Sequence, residues 1–205
     1  IPNGKTIIGF GRESKLIFDL STSSEYGLLI ENGQNMLLQG LYIERRGFVT
    51  PNANNSVIVI RGNTDETVKL KDIIVKNSLD ATGVDNASTS TRAIHLYDSA
   101  SPILADVIAA GGVSTGEGIS VGISVGAKRN SSGQPKLYSC IGRSPNGPGL
   151  EFDNTVSGTG SYVENCIGEG LVGINIDDND ASILINCVGK GQLVDFGSGI
   201  NIYSI

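Results

Sequence analysis

Two carboxylates at matching positions of neighbouring strand-like segments could divide the work of an acid and a base. Asp153 ends the segment "GLEFD", Asp177 ends the segment "GINID", and Glu151 precedes Asp153 by two residues. If the segments stack in parallel, the backbones at Asp153 and Asp177 lie about 5 Å apart. Carboxylates that close cannot both ionise easily, so one can hold a proton while the other acts as base or nucleophile. This chemistry predicts Asp153, Asp177 and Glu151 as catalytic residues, with Glu151 and Asp177 giving the wider separation that inverting glycosidases use.

Further polar side chains fall at the equivalent outward positions of neighbouring segments. Asn175 could bind a sugar hydroxyl, and Tyr97 could stack on a sugar ring. His95 and Arg61 could serve proton abstraction beside a substrate carboxylate. We therefore predict His95, Tyr97, Asn175 and Arg61 as substrate-binding residues. The simpler alternative is a polar outer face with acids aligned by chance, which the lack of Trp and an aromatic content of 5% favour.

The three cysteines raise the question of a metal site. Cys166 and Cys187 lie in the twin strings "ENCIGEG" and "INCVGKG", and Cys140 lies in "SCIG". Tetrahedral zinc needs ligands that converge from several directions, commonly with C-x-x-C pairs, and that spacing is absent from the sequence. An odd number of cysteines excludes a full disulfide framework. The strings predict small thiols that fill a core, with no metal and no cofactor.

Two acidic groups offer alternative cation sites. The run "DDND" at 177–180 could ligate calcium through its oxygens, but it lacks the Gly and Glu of an EF-hand loop. We favour a solvated loop there and keep calcium as the one candidate ion. Asp72 and Asp106 could pair as a second acidic site. Because their chain neighbours are core residues, we interpret them as bend formers.

A repeat organises these residues. When Cys140, Cys166 and Cys187 are placed in one column, the pattern extends back to Leu41, Ile73 and Val107, at spacings of 32, 34, 33, 26 and 21 residues. Three residues earlier stands a second apolar column: Leu38, Leu70, Leu104, Leu137, Val163 and Leu184. One residue before the Cys column, Asn165 and Asn186 fall where a tight bend would separate two strands, since Asn tolerates the left-handed backbone.

A second set of strands lies upstream of each repeat position, from "GLLIE" to a final "GINIY". Its apolar residues alternate with polar ones, which predicts one face in a core and the other in solvent. Units of variable length with constant column chemistry indicate a solenoid, because one coil cannot bury its own apolar face. We predict an all-β chain, a single-stranded right-handed parallel β-helix of about seven coils that forms one domain over 1–205. An antiparallel β-sandwich is the alternative, but it would not reproduce the same columns.

The net charge and the lengths of the apolar stretches limit the classes of partner to be expected. The formal net charge of −6 disfavours nucleic acid, whose phosphates require clustered Lys and Arg. The apolar stretches are too short to span a bilayer, so we expect no membrane insertion.

The N-terminal segment "IPNGKTIIGFGRESKLIF" adds a resemblance. Ile1, Pro2, Gly4, Thr6, Ile7, Gly9 and Gly11 match the first segment of the pectate-lyase-like right-handed β-helix superfamily, in particular phage tailspikes and tail-associated depolymerases. The resemblance implies an extracellular, virion-tail location and a bacterial surface polysaccharide as partner. The capping elements of that family are missing, so we expect the natural protein to continue in both directions.

A further apolar column follows the Cys column by one residue: Tyr42, Ile74, Ile108, Ile141, Ile167 and Val188. Adjacent strand residues face opposite sides, so this sheet is predicted to be apolar on both faces and to need a cover. Because tailspikes are typically trimers, we predict these six residues as a homotrimer interface. The alternative is that the bend shifts the alternation and all six point inward.

These observations lead to three functional hypotheses. The first is a tailspike-like protein that recognises, and in one version depolymerises, a capsule or O-antigen as a glycoside hydrolase. The second is a non-enzymatic receptor-binding or structural shaft of a tail fibre. The third is a pectate-lyase-like polysaccharide lyase, for which His95 and Arg61 lie on the appropriate face without forming a fuller lyase constellation.

Overall fold

The computed structural model describes residues 3–21, 24–82, 84, 88–116, 118–126, 133–153, 159–176, 181–191, 193–196 and 201–203. Within this part of the chain, short strands stack in parallel into two sheets that wind around a common core. The fold is therefore an all-β parallel β-solenoid, as the repeat predicts. Among the described residues there is no helix long and apolar enough to cross a membrane.

Sheet A contains the strands on either side of the predicted bend. In the described part of the chain these are β1 (Thr6–Ile8), β2 (Lys15–Leu20), β4 (Met36–Gly47), β6 (Val68–Asn77), β8 (Ile103–Ala110), β11 (Lys136–Tyr138), β12 (Ile141–Arg143), β14 (Tyr162–Glu164), β15 (Ile167–Glu169), β17 (Ile183–Ile185), β18 (Val188–Lys190) and β20 (Asn201–Tyr203). A short 3₁₀ helix, η1 (Gly11–Glu13), separates β1 from β2.

Sheet B contains the strands that return the chain to the next coil. They are β3 (Tyr26–Glu31), β5 (Asn54–Arg61), β7 (Ser88–Tyr97), β9 (Thr115–Gly116), β10 (Ser120–Gly126), β13 (Pro148–Asp153), β16 (Val172–Ile176) and β19 (Leu193–Phe196). Within the described ranges β9 pairs antiparallel, with β7, whereas the other paired strands are parallel.

The bend within sheet A is made by a left-handed backbone in the six successive coils from β4 to β18. The φ angles are +62° at Gly40, +49° at Asp72, +55° at Asp106, +52° at Ser139, +55° at Asn165 and +51° at Asn186. Gly, Asn and Asp reach this region at the lowest steric cost, so the residue types of the column follow from the bend. Asp72 and Asp106 are therefore bend residues, as predicted.

The two apolar columns of the repeat form the centre of the core. Leu38, Leu70, Leu104, Leu137, Val163 and Leu184 from sheet A are at most 2% exposed. Ile58, Ile94, Ile123, Leu150 and Ile174 from sheet B are equally buried. Each such side chain contributes roughly 1.5–3 kcal/mol relative to an exposed one, so stacking of coils is the main source of stability.

The solenoid narrows towards its C-terminal coils. The inward position two residues after the Cys column is, coil by coil, Ile43, Val75, Ala109, Gly142, Gly168 and Gly189. Sheet B mirrors this taper with Val57, Ala93, Gly122, Gly149 and Gly173. A Cβ atom at Gly168 would lie 1.9 Å from the carbonyl oxygen of Gly173, so the two backbones touch there. As the coil length falls from 34 to 21 residues, the inward side chains thus become smaller and the two sheets come closer together.

Two details differ from the sequence prediction. The described part of the chain forms about five turns, slightly fewer than the seven predicted. The final "GINIY" was assigned to sheet B, but β20 pairs with β17 in sheet A and places Ile202 beside Leu184. Strand β19 occupies the sheet B position instead, next to β16.

Candidate functional site

Sheet B brings several of the predicted site residues into register. His95 lies beside Ser124, Ser124 beside Glu151, and Glu151 beside Asn175, on four consecutive strands. Arg61 lies beside Tyr97, and Asp153 lies beside Gly126. Asp177 and the whole run at 177–180 lie outside the described residues, so the Asp153–Asp177 separation stays a prediction.

The exposure of this face differs from what the alternation predicts. His95 is 1% exposed, Glu151 is 4% exposed and Tyr97 is 6% exposed, whereas Asn175, Asp153 and Arg61 are partly exposed. Alternation along a strand determines on which side of the sheet a residue lies, but it carries no information about what else covers that side.

Glu151 belongs to a buried ion pair. The Ser124 hydroxyl donates a hydrogen bond of 2.6 Å to Glu151 Oε2, and Arg92 Nη2 lies 3.9 Å from the same oxygen. A second nitrogen of the guanidinium donates to the side-chain oxygen of Asn54. Burial lowers the pKa of Arg92, while the negative charges of Glu151 and Asp153 oppose that shift. Sequence reasoning missed Arg92 and Ser124, because neither forms a conspicuous motif.

The remaining side chains of this face form a polar chain. The rings of His95 and Tyr97 lie 4.6 Å apart between centroids, and His95 Nε2 is 3.3 Å from the carbonyl oxygen of Gly126. Arg61 donates to the Tyr97 hydroxyl at 3.1 Å and, through Nε, to Glu31 at 2.8 Å. These contacts fix the side chains in place, and they use donors that a ligand would otherwise contact.

A groove runs along the corner formed by the connections from each sheet B strand to the next sheet A strand. This corner groove has a volume of about 650 Å³. Its polar lining consists of Thr64, Asp65, Glu66, Ser101, Gln134, Lys136 and Ser161, and Gly160, Tyr162, Ala181 and Ile183 complete it. These residues come from five successive coils, so the groove extends about 19 Å parallel to the solenoid axis.

Charged and aromatic side chains determine which groups the corner groove presents to a ligand. Lys136 Nζ lies 2.7 Å from Glu66 Oε1, an ion pair that reaches across the coil of β8. Thr67 donates its amide at 2.9 Å and its hydroxyl to Asp65, and the hydroxyl bond is the main reason that the pKa of Asp65 is lowered. The ring of Tyr162 packs 5.7 Å from that of Tyr138.

Sequence reasoning missed the corner groove for a specific reason. Its residues lie mainly in the connections before β6, β8, β11, β14 and β17, where coil length varies. Column alignment identifies the regular positions and treats the connections as insertions. The one available signal was that all insertions of this kind fall at the same corner, where they must stack on one another.

The second apolar column of sheet A lies on the outer side of that sheet. Tyr42, Ile74, Ile108, Ile141 and Ile167 are partly exposed, and Val188 is 47% exposed. The six residues are in register from coil to coil. Beside them, Glu169 Oε2 accepts from Arg143 at 2.7 Å and Oε1 from Lys190 at 3.1 Å, which links three coils.

The cysteines are free thiols stacked in the core. Cys140 and Cys166 are buried, Cys187 is half-buried, and the amide of Cys140 lies 3.3 Å from Cys166 Sγ. The side-chain hydrogen bond with the Cys140 thiol raises the pKa of Cys166 to about 12, against the opposite effect of the amide bond, and this keeps the thiol protonated. In the part of the chain that the structure describes, no group of three or more His, Cys, Asp or Glu residues is arranged to hold a metal ion.

Comparison with known proteins leaves the fold as the main guide to function. No protein-family model matches the chain, and no curated protein and no solved structure shows significant similarity to it. The parallel β-solenoid is consistent with the fold of the superfamily which the N-terminal segment resembles.

Proposed function

We propose that this chain is a glycan-recognising β-solenoid of the tailspike kind, which binds a bacterial surface polysaccharide, capsule or O-antigen, along the corner groove. The observation that carries the proposal is the groove itself. It is elongated, it crosses five coils, and it is lined by hydroxyl, amide, carboxylate and ammonium groups. Concave sites with convergent polar groups are the usual binding sites of proteins.

The groove chemistry suits a sugar chain. Gln134, which is exposed, and Ser101, which is partly exposed, can exchange hydrogen bonds with sugar hydroxyls, both directly and through water. The Tyr162 ring offers an apolar surface for the C–H face of a pyranose, and its hydroxyl is held by Glu164 at 3.1 Å. An axial groove also lets consecutive sugar units meet consecutive coils.

The described geometry favours binding over cleavage. Glu151 is buried and paired with Arg92, so it supports the fold better than it supports chemistry on a polymer. Hydrolysis by Asp153 with Asp177 is the second version of the proposal, since Asp153 is partly exposed beside Asn175 on the next strand. A lyase reaction through His95 has less support, because His95 is buried against Tyr97.

We further propose that the outer face of sheet A joins the chain into a homotrimer at a virion tail. Apolar side chains in register on six coils form a continuous stripe, and a stripe of that kind is a common feature of subunit interfaces. A purely structural shaft would use the same stripe but would not need the corner groove.

The test measures binding and cleavage separately. The protein is titrated calorimetrically with purified capsular and O-antigen polysaccharides, and the same mixtures are then sized by gel filtration. We expect binding without shortening of the polymer, and at least about tenfold weaker binding by Tyr162→Ala, equivalent to about 1.4 kcal/mol.

Phe48→Ala is the control. Phe48 is an aromatic side chain that is 43% exposed just after β4, and it belongs neither to the groove lining nor to the outer stripe of sheet A. Equal loss in both variants, or no loss in Tyr162→Ala, would place the glycan elsewhere. Shortened products that disappear in Asp153→Asn would support the hydrolase version.

A further inference from the structure

The charges along the corner groove are unevenly matched. Its described lining carries two carboxylates, Asp65 and Glu66, and one ammonium group, Lys136. Lys136 and Glu66 neutralise each other at 2.7 Å. Asp65 is left as a net negative charge at the end of the groove nearest β6, in the first of its five coils.

Asp65 stays ionised under ordinary conditions. It accepts hydrogen bonds from both the amide and the hydroxyl of Thr67, and these bonds hold its pKa below the ordinary value. Bonds of this type favour the charged form of a carboxyl group. Asp65 is fully exposed, so its field acts on any ligand in the groove through solvent and is screened by salt.

Lys136 is not free to compensate a ligand charge. Its ammonium group is engaged by Glu66 across the intervening coil, in which Ile103 occupies the aligned position between Lys69 and Lys136. A ligand carboxylate that paired with Lys136 would have to displace Glu66 and would leave that carboxylate unpaired beside Asp65. The described lining therefore offers hydrogen-bonding groups to hydroxyls and amides, but no available cation to a carboxylate.

We infer that the corner groove selects an uncharged glycan strand and rejects acidic polysaccharides such as those rich in uronic acids. This inference rests on the proposed function and adds the chemical class of its ligand. Discrimination arises from a repulsive element rather than from extra contacts, because the unmatched Asp65 opposes a ligand carboxylate bound at its end of the groove. The net charge of −6 over the whole chain acts in the same direction at longer range.

The experiment compares each glycan with its own charged derivative. The probes are neutral capsular and O-antigen polysaccharides, each paired with the same polymer after oxidation of its primary hydroxyls to carboxylates. At about 20 mM salt we expect the oxidised form to bind at least tenfold more weakly than the neutral form. At about 0.5 M salt the ratio should fall several-fold, because charges separated by more than a few ångströms are then largely screened.

Two variants test the assignment of the charge to Asp65. Asp65→Asn should improve binding of the oxidised polymer several-fold at low salt and change binding of the neutral polymer little. The double variant Asp65→Asn with Glu66→Gln frees Lys136 and should bind the oxidised form more tightly than the neutral one. Circular dichroism and the midpoint of thermal unfolding verify that each variant is folded.

Asp80→Asn is the matched control. Asp80 accepts from the Thr82 amide at 2.9 Å, is exposed, and has a pKa lowered by hydrogen bonds with Thr82, chiefly the one from the amide, but it does not line the groove. It should leave the ratio between the two forms unchanged. If neutral and oxidised polymers bind equally, or if Asp80→Asn acts like Asp65→Asn, the selectivity is wrong while glycan binding stands. If no polymer binds in either form, the proposed function and this inference fail together.

Discussion

Arg92 and Glu151 make an ion pair whose side chains are only 4% and 5% exposed. Taking two charges out of water is costly, and their attraction repays that cost only while both are present. A buried pair of this kind specifies one arrangement of the neighbouring strands, since a shifted strand would leave a charge alone.

Removing one partner of this pair should therefore cost far more than removing both. Glu151→Leu leaves Arg92 buried and unpaired, and we expect a loss of about 3–5 kcal/mol in the free energy of unfolding. The double variant Arg92→Met with Glu151→Leu should recover most of that loss. Urea denaturation followed by circular dichroism measures both. A double variant as unstable as the single one would mean that packing, not charge, dominates at this position.

Asn165 shows how a bend selects its residue. Its φ of +55° is left-handed, and its side chain is exposed at the corner of the coil, so burial plays little part. Asn165→Val should destabilise the protein by about 1–2 kcal/mol, because a β-branched side chain clashes with its own backbone there. Asn165→Gly should be nearly neutral by the same denaturation assay. Equal stability of the Val variant would show that the bend relaxes.

The bend residues were accessible from sequence, while the environment of the catalytic candidates was not. Asn165 and Asn186 recur one position before a Cys, and a left-handed bend gives a local reason for Asn. The burial of Glu151 depends on Arg92, which stands 59 positions earlier in the chain. No local pattern links two residues so far apart.

Strand packing sets the width of each coil. Where Ile43 and Val57 stand in the first coil, later coils have Ala and then Gly, and the two sheets come into backbone contact at Gly168 and Gly173. The Gly of the repeated "NC(I/V)G" string is thus a close-approach residue. The signal was present in the sequence columns, but it becomes meaningful only when sheet A and sheet B are seen to face each other.

Gly168→Ala tests this contact. The added Cβ would lie 1.9 Å from the Gly173 carbonyl oxygen, so the coil must widen, and overpacking of this kind costs roughly 1–3 kcal/mol. Ala109→Gly is the counterpart, since that coil already accommodates Ala in the same column, and it should lose about 1–2 kcal/mol through strand flexibility and the loss of one buried methyl group. Thermal unfolding ranks the two. A Gly168→Ala protein as stable as the parent would contradict the taper.

The prediction that "GINIY" joins sheet B was wrong, although it used the same alternation of apolar and polar residues that identified the other strands correctly. Strands of both sheets read as Gly, apolar, polar, apolar, so "GINIY" looks like "GINID" although β20 belongs to sheet A. A period of two identifies a strand and its faces. It does not say which sheet the strand joins, which depends on the length of the preceding connection.

At the scale of the whole molecule, the proposed homotrimer covers the apolar outer face of sheet A. Replacing Ile141 and Ile167 by Asp puts two charges in the centre of the apolar stripe, and we expect the mass in sedimentation equilibrium to fall from three chains of 21.4 kDa to one. Leu171→Asp removes an exposed apolar residue of the corner between β15 and β16, and should leave the mass unchanged. A parent protein that is a soluble monomer would overturn the homotrimer.

Because its hydrogen bonds run along the axis, this solenoid should unfold in steps of unequal length when it is stretched from its two ends. Because neighbouring coils are joined by backbone hydrogen bonds along the axis, a pull on the two ends would peel coils away one at a time instead of shearing a whole sheet. Each event would release one coil of chain, about 70–75 Å for the 21 residues from Cys166 to Cys187 and about 110–120 Å for the 34 from Ile73 to Val107. The molecule would therefore lengthen in steps whose size identifies the coil, with the shortest steps at its narrow end.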